Sequence, residues 1–459
     1  MTDSSSPAVR APADFYMHVA SPFNSRLNVD YTALARMPDF RKQLNDRLEA
    51  ADLGGVEAVV HELDEGREEF NDGTGGRLAI PDSVATLYFD GPLELIDESA
   101  ARELPAEFAA APVLDDIALS FHEYGSAILT AWIRVRLAGD TEWAGLSDAS
   151  KFIKDQITKL PALQALVTRL DNDVTEAAAG LLGDDEPLVP VAGRLHELRW
   201  SHVISLLPLD PSVASACADE VRELVIISDR EFEDMCPSSR DFVYIGWLRS
   251  LLISPAVHEV VATEARPRLD EKGRFVAPET PTRLSVEALR RLQIDWLSAD
   301  RLNRILAVQL RDYSRQRARL QRKELDEQMD WIERATVEVE LFEAVRSLRH
   351  QMMSPYTFQV YERAVLGWRM DHQSDGYKHT LGALDVLYQQ AKTELEQRSQ
   401  RRLDFGVGLL SAFVFVSVVW DGWNLVQAES FQSTWLGTGT LGVLLVLIGA
   451  AATWWLRWR

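Results

Sequence analysis

The stretch that decides the reading is "FVFVSVVWDGWNLVQAES", residues 413–430. Extended back to Phe405, the apolar run reaches Val426. It is 22 residues long and holds one charge, Asp421, near its far end. A helix needs ~20 apolar residues to cross the ~30 Å hydrocarbon core of a bilayer. A second run, Leu436–Leu456, has 21 residues and no charge. The alternative is a buried hairpin in a soluble core, and the flanks argue against it. Arg398, Arg401 and Arg402 precede the first run, Arg457 and Arg459 follow the second, and the connecting residues 427–435 carry only Glu429. Basic flanks stay on the cytosolic side, so both ends of the pair are expected inside, with a short loop outside. Trp420, Trp423 and Trp435 fall at the outer interface, and Trp454, Trp455 and Trp458 at the inner one, as aromatic belts do.

Two helices cannot enclose a hydrated path, so a pore requires several copies. At 100° per residue, Gly406, Leu410, Phe413, Ser417, Trp420 or Asp421, and Asn424 share one stripe of the first run. In a symmetric oligomer each becomes a ring. Rings of amide or carboxylate oxygen hold hydrated cations, and rings of Leu or Phe close a path by dewetting. The spacing is equally compatible with Asp421 and Asn424 simply reaching the headgroup region.

Gly422-Trp423-Asn424, ending the first of two C-terminal apolar runs joined by a short loop, resembles the Gly-x-Asn motif of the CorA-type metal-ion transporter superfamily. The likeness covers the last ~80 residues in order, length and topology, and the rest of the chain only in general plan. Family members typically read Gly-Met-Asn; here Trp423 stands in the middle, Asp421 precedes the Gly and Leu425 follows the Asn. The resemblance implies a homopentameric funnel in the inner membrane, with the first helix around the pore, Asn424 at the outer mouth and a large cytosolic domain that gates it. The implied cargo is a magnesium-like divalent cation, which serves as transported or regulatory ion. Magnesium keeps much of its water shell when bound, so the departures bear on ion choice more than on permeation itself.

The chain has 459 residues and a net charge of −22. Only four Arg and three acids lie beyond residue 400, so the negative charge sits before them. An acidic soluble part suits attraction of cations and excludes general nucleic-acid binding. Cys217 and Cys236 form no CxxC pair and read as free thiols in a reducing compartment. The first 60 residues contain no apolar segment of signal-peptide type.

Catalytic motifs are missing from the sequence. His61-Glu62 and His196-Glu197 do not complete HExxH, His202 follows His196 at the wrong helical spacing, and no phosphate loop, dinucleotide fingerprint or GxSxG occurs. "DGTGG" (72–76) reads as a turn. The acidic run "HELDEGREEFNDG" (61–73) reads as a solvated helix face or a regulatory divalent-ion site. These features predict passive permeation and no enzyme. One basic cluster stands out in the acidic chain: Arg301, Arg304, Arg311, Arg315, Arg317, Arg319, Arg322 and Lys323, with one acid, Asp312, among them. It reads as a salt-bridging face, an electrostatic ring, or a patch for a small anionic messenger such as a nucleotide. The last option carries a second functional reading. Some CorA-like proteins act as signal-gated membrane effectors of bacterial antiviral systems.

The expected fold is an α+β cytosolic domain followed by long stalk helices and two C-terminal transmembrane helices. The boundaries are a tail over 1–14, the α+β domain over 15–280, the stalk over 281–404, spans over 405–426 and 436–456, and the outer loop over 427–435. Strands are predicted at 83–91, 223–229 and 241–248, with a hairpin over 116–137 turning near Glu123–Ser126. Helices are predicted at 38–65, with Gly54-Gly55 as the place where it would break, and at 150–182 and 191–207. No Gly or Pro falls between Pro281 and Pro355, which predicts one very long helix or two stacked ones. A shorter helical piece and a turn follow over 354–376. From Tyr377 onward, Leu381, Leu384, Tyr388, Ala391 and Leu395 form a heptad-like seam, and one helix is predicted from Tyr377 to Val426.

Overall fold

The computed structural model describes residues 11–60 except 38, 52 and 54, then 83–89, 93–94, 104–139, 142–181, 195–198, 201–225, 241–246, 248–257, 268–269, 275–276, 281–316, 322–351 and 353–427. The chain divides into two compact units, the first ending at Val386 and the second beginning at Leu387.

The first unit is built on a sheet. Its strands are β1 (Asp14–Asn24), β2 (Val56–Val59), β3 (Ala85–Phe89), β4 (Leu93–Glu94), β5 (Val113–His122), β6 (Ser126–Arg136), β7 (His202–Leu207), β8 (Phe242–Ile245) and β9 (Arg249–Ile253). The order is β2-β3-β5-β6-β1-β7-β9-β8, with β4 on β5. All pairings are antiparallel except β7 with β9. A separate ribbon pairs β10 (Arg268–Leu269) with β11 (Phe275–Val276).

The helices are α1 (Tyr31–Arg36), α2 (Phe40–Ala50), α3 (Trp143–Ile157), α4 (Pro161–Ala178), α5 (Val213–Ala216), α6 (Ala218–Val225), α7 (Pro281–Gln316), α8 (Arg322–Gln351), α9 (Pro355–Trp368) and α10 (Met370–Gln427).

The central strand, β1, sends alternate residues to opposite faces. Phe15, Met17, Val19 and Phe23 join a core with Leu129 and Ile133 of β6, Leu44 of α2, Ile153 of α3 and Val167 of α4. On the other face, Ala20 and Ile128 pack with Ile294 of α7. The sheet is thus covered on both sides. Pro22 cannot donate to a ladder. It lies opposite Ile128 of β6 but beyond Ala20, where pairing with β7 ends, so no second neighbour asks for its missing N–H.

The hairpin over 116–137 is present, turning through a three-residue 3₁₀ turn at Glu123–Gly125. Strands also form within 83–91 and 241–248. Pro281–Pro355 holds two helices, α7 and α8, and α10 covers Tyr377–Val426 without a break.

Other expectations are corrected. Of the helix over 38–65, α2 ends at Ala50; at the break offered by Gly54-Gly55 the chain turns (Gly55 φ 80), and it continues as β2 and not as helix. The helix over 150–182 is two, since Pro161 starts α4 after α3 has ended. The helix over 191–207 is replaced at its end by β7, which is buried along its whole length. A strand buried on both faces loses the period-2 signature and reads like a helix. Residues 223–225 of the expected strand over 223–229 belong to α6, and the remainder lies outside the described residues. Asp14 and Phe15 open the central strand, where a tail was expected to end.

The junction between α9 and α10 is sharp. Ser354 caps α9, accepting from the Thr357 N–H at 3.2 Å, with Pro355 at the first helical position. The helix stops at Arg369, whose left-handed backbone (φ 54) lets its N–H reach the Val365 and Leu366 carbonyls. α10 starts one residue later, seven residues before the expected Tyr377.

Candidate functional site

α10 runs for 58 residues, ~87 Å at 1.5 Å per residue. In the first unit, its opening turns are held by polar contacts. Asn303 of α7 donates through Nδ2 to the Gln373 carbonyl (3.1 Å) and side chain (2.8 Å). Gly376 makes this approach feasible, because a Cβ there would lie 2.8 Å from Asn303 Oδ1. Arg346 of α8 donates to Ser374 Oγ at 2.9 Å. The Tyr377 hydroxyl donates to Glu343 of α8, Lys378 pairs with the same carboxylate at 3.3 Å, and the Tyr377 ring meets Phe342 edge-on. Behind this joint, Asp295 of α7 accepts from the Tyr361 hydroxyl at 2.5 Å and lies 3.4 Å from His350 Nε2 and 3.9 Å from Arg346 Nε. Burial, then the Asp295 charge, pushes the Tyr361 hydroxyl well above its ordinary value, so it remains a donor at neutral pH.

The expected seam is buried at Leu381, Leu384 and Tyr388 within a single chain. Packing of those three therefore needs no second copy. Ala391 and Leu395 are only half-buried.

In the second unit, α10 contains the one segment among the described residues that is long and apolar enough to cross a bilayer, and none of that window is buried. Leu410 is 67% exposed and Phe413 58%, yet Phe415 at 70% and Val418 at 63% lie on other sides of the helix. Apolar side chains face outward all round. A helix apolar on every side belongs in a core or a membrane. Gly406 and Gly408 have open space where a Cβ would be. Gly406, Leu410, Phe413 and Ser417 follow one another along one face by helical spacing, and Asp421, Gly422, Trp423 and Asn424 occupy the last two turns before Gln427. Trp423 and Asn424 are exposed. The second apolar run, Leu436–Leu456, lies outside the described residues, as does the acidic run 61–73.

The basic cluster is only partly in view. Arg311 and Arg315 are exposed near the end of α7, and Arg311 Nε lies 3.5 Å from its neighbour Asp312. Arg304 pairs with Asp300 at 2.8 Å, and Arg301 is buried with its Nε on the Tyr124 carbonyl. Arg322 and Lys323 open α8. Arg317 and Arg319 lie outside the described residues.

Three buried polar constellations were not named from sequence. Each has a trace there: an acid on the apolar stripe of a helix, at Asp171, Asp295 and Glu338. Asp171 of α4 accepts from Ser25 Oγ, from the Arg26 N–H at 3.0 Å, and lies 2.5 Å from His196 Nε2. The trio has the residue types of a hydrolase triad with the wrong connectivity. Its serine hydroxyl points at the carboxylate, so no imidazole takes its proton. It is a structural tie between β1, α4 and the 196 turn. Asp171→Ala strands several buried donors and should cost ~3–5 kcal/mol, read from denaturant unfolding followed by tryptophan fluorescence.

His202 of β7 is held likewise. Its Nδ1 accepts from Gln293 Nε2 of α7, its Nε2 lies 3.0 Å from Ser250 Oγ, and its ring meets Trp368 edge-on at 5.2 Å. Trp368 Nε1 in turn donates to the Gly246 carbonyl at 3.1 Å. His18 of β1 meets Trp132 of β6 edge-on at 4.9 Å. Burial, then the Arg290 charge, lowers His18 to about 3; burial, then His18 and Lys154, lowers His202 to about 3. Both imidazoles are neutral structural groups at physiological pH.

Among the described residues no three His, Cys, Asp or Glu side chains gather as a metal site. Comparison with protein-family models, curated proteins and solved structures finds no match for this chain.

Proposed function

We propose that this chain is a CorA-like membrane channel: a homo-oligomer, five-fold by family resemblance, through which a divalent, magnesium-like cation moves passively. The observation that carries the reading is the helix of α10, apolar and exposed on every side from Phe405 to Trp420 and followed by Gly422-Trp423-Asn424. The expected second span, Leu436–Leu456, and the basic residues flanking the pair support a two-span topology with both ends cytosolic.

In this reading the cation is cargo. Asn424 and Asp421 offer oxygen rings to its water shell at the outer mouth, and Leu410 and Phe413 form apolar rings that an ion cannot cross without water. Ser417 supplies a hydroxyl between them, and Gly406 lets helices approach closely.

Liposomes holding the purified full chain and a divalent-ion indicator test this. The native protein should pass divalent cations, and Asn424→Ala should lower the divalent-over-monovalent permeability ratio by an order of magnitude. Phe413→Ser should leak under all conditions. An unchanged ratio in Asn424→Ala and Asp421→Asn removes both residues from the filter, and a monomer or dimer by native mass spectrometry in mild detergent removes the channel.

The exposed Arg311 and Arg315 favour a second reading, a signal-gated antiviral effector opened by an anionic messenger. Two cations one helical turn apart suit a phosphate group. Loss of activation in an Arg311→Gln/Arg315→Gln variant, with basal flux intact, would favour it. A trigger by release of a regulatory divalent cation would be unaffected.

A further inference from the structure

The tip of the β5–β6 hairpin meets α1, α7 and α8 in a buried acidic cluster. Tyr124 has a left-handed backbone (φ 63), unusual for a residue with a bulky side chain. It is locked there from two sides: its N–H donates to the Val29 carbonyl at 2.8 Å, and its carbonyl accepts from Arg301 Nε of α7 at 3.0 Å. Its ring meets Tyr31 edge-on at 5.9 Å. Beside it, Asp30 caps α1, accepting from the Ala33 N–H at 2.6 Å. Glu338 reaches across from α8 to the same helix start. It accepts from the Tyr31 N–H, from the Thr32 N–H at 3.0 Å and from the Thr32 hydroxyl at 2.8 Å.

Asp30 is 9% exposed, Glu123 1% and Glu338 1%. The groups that face Glu338 are Asp30, Tyr31 and Thr32 at the start of α1 and Tyr124 at the hairpin tip, and Glu123 acts on the same Tyr124. Arg301 approaches from α7. Neither the Glu123 carboxylate oxygens nor the Tyr124 hydroxyl has a hydrogen-bond partner among the described residues. Burial beside a second carboxylate makes the charged form of Glu338 costly, and a proton is the smallest ligand that relieves it.

We propose that this cluster is a proton-operated latch, in which a proton held on Glu338 keeps α8 seated on α1 and the hairpin tip, and its loss loosens that seat. Burial, then the Asp30 charge, raises the Glu338 carboxyl to about 7, against the pull of the Thr32 and Tyr31 hydrogen bonds. Burial, then the Glu338 charge, keeps the Tyr124 phenol well above its ordinary value, so it does not titrate near neutrality. The sign follows from linkage. A carboxyl whose folded value of about 7 lies above its ordinary 4.5 gives a seat that is firm below 4.5 and weakens as pH rises through 7. On the same helix, Glu343 and Arg346 hold the first turns of α10, so the latch acts on the element that carries that joint. The latch does not depend on the channel reading.

Hydrogen exchange of the full chain in detergent micelles tests it, followed at the α1 amides at pH 6 and pH 8 and corrected for intrinsic exchange. Native α1 should lose protection by several-fold from pH 6 to pH 8. Glu338→Gln, which cannot ionise, should keep the pH 6 protection at both. Asp30→Asn keeps a good helix cap while removing the neighbouring charge that helps to raise Glu338, so its loss of protection from pH 6 to pH 8 should be smaller than in the native chain. Should one variant fail to fold, the other decides. Native exchange independent of pH, or a native-like pH dependence in a folded variant, overturns the latch.

Discussion

Ending the chain after Asp404 should move the protein almost wholly from the membrane fraction to the soluble fraction. The segment removed includes Val407, Leu410, Phe413, Val414, Phe415, Val418 and Val419, all more than half exposed. Burying such side chains contributes about 1.5–3 kcal/mol each, so together they outweigh any surface-charge effect. The sheet, by contrast, has its core within the first unit and loses nothing from it. Carbonate extraction of cells expressing the full and shortened chains gives the measurement. Val414→Arg with Val418→Arg should weaken insertion in the same direction, each charge costing about 2.5–3.5 kcal/mol at mid-span. If the full chain leaves the membrane as readily as the shortened one, α10 is not a span.

Mild acid should destabilise the first unit, with two buried histidines supplying the steepest part of the loss. His18 and His202 have folded values of about 3, below their ordinary 6.5. A depressed imidazole gives stability that is complete above 6.5 and is withdrawn as pH falls toward 3, at ~1.4 kcal/mol per pH unit for each group. At pH 5 the pair should have cost ~4 kcal/mol, a large share of the ~5–15 kcal/mol that holds a domain. Glu338 acts with the opposite sign over part of that range, so the comparison must be with a variant and not with one pH. In His18→Asn/His202→Gln the unfolding free energy between pH 7.5 and pH 5 should fall by much less than in the native chain. An equal slope in both would mean that the imidazoles are hydrated or already charged.

Much of the helical half was legible because its signals are local. Breaker-free sequence from Pro281 announced α7 and α8, and an uninterrupted apolar run carried α10 through Gly406 and Gly408. "HEYGS" marked the hairpin tip. The sheet was harder. β1 and β7 are buried on both faces, which erases alternation, and Pro22, Ser21 and His18 disguise β1 further. Their identity as strands is settled by distant partners, since β1 pairs with strands more than 100 residues on and β7 also with β9, 46 residues on, and single-sequence periodicity does not carry that information. The candidate site divides the same way. The order Gly406, Leu410, Phe413, Ser417 follows from helical spacing, while the meeting of Asp30 with Glu338, or of Asp295 with Tyr361, depends on tertiary packing.

The position of β1 also sets an order of events during synthesis. Among the described strands it is the earliest to leave the ribosome, yet the register that seats it pairs His18 with Trp132 on one side and with Ile204 on the other. It must wait for both partners, a long-range closure of the kind that slows folding to milliseconds or seconds. The last strand of that sheet ends at Ile253, and the apolar segment begins only at Phe405. At ~5–20 residues per second the interval between them lasts roughly 8–30 s. The sheet therefore has time to close before the hydrophobic helix emerges, and a membrane that takes up that helix would receive it with its sheet already folded.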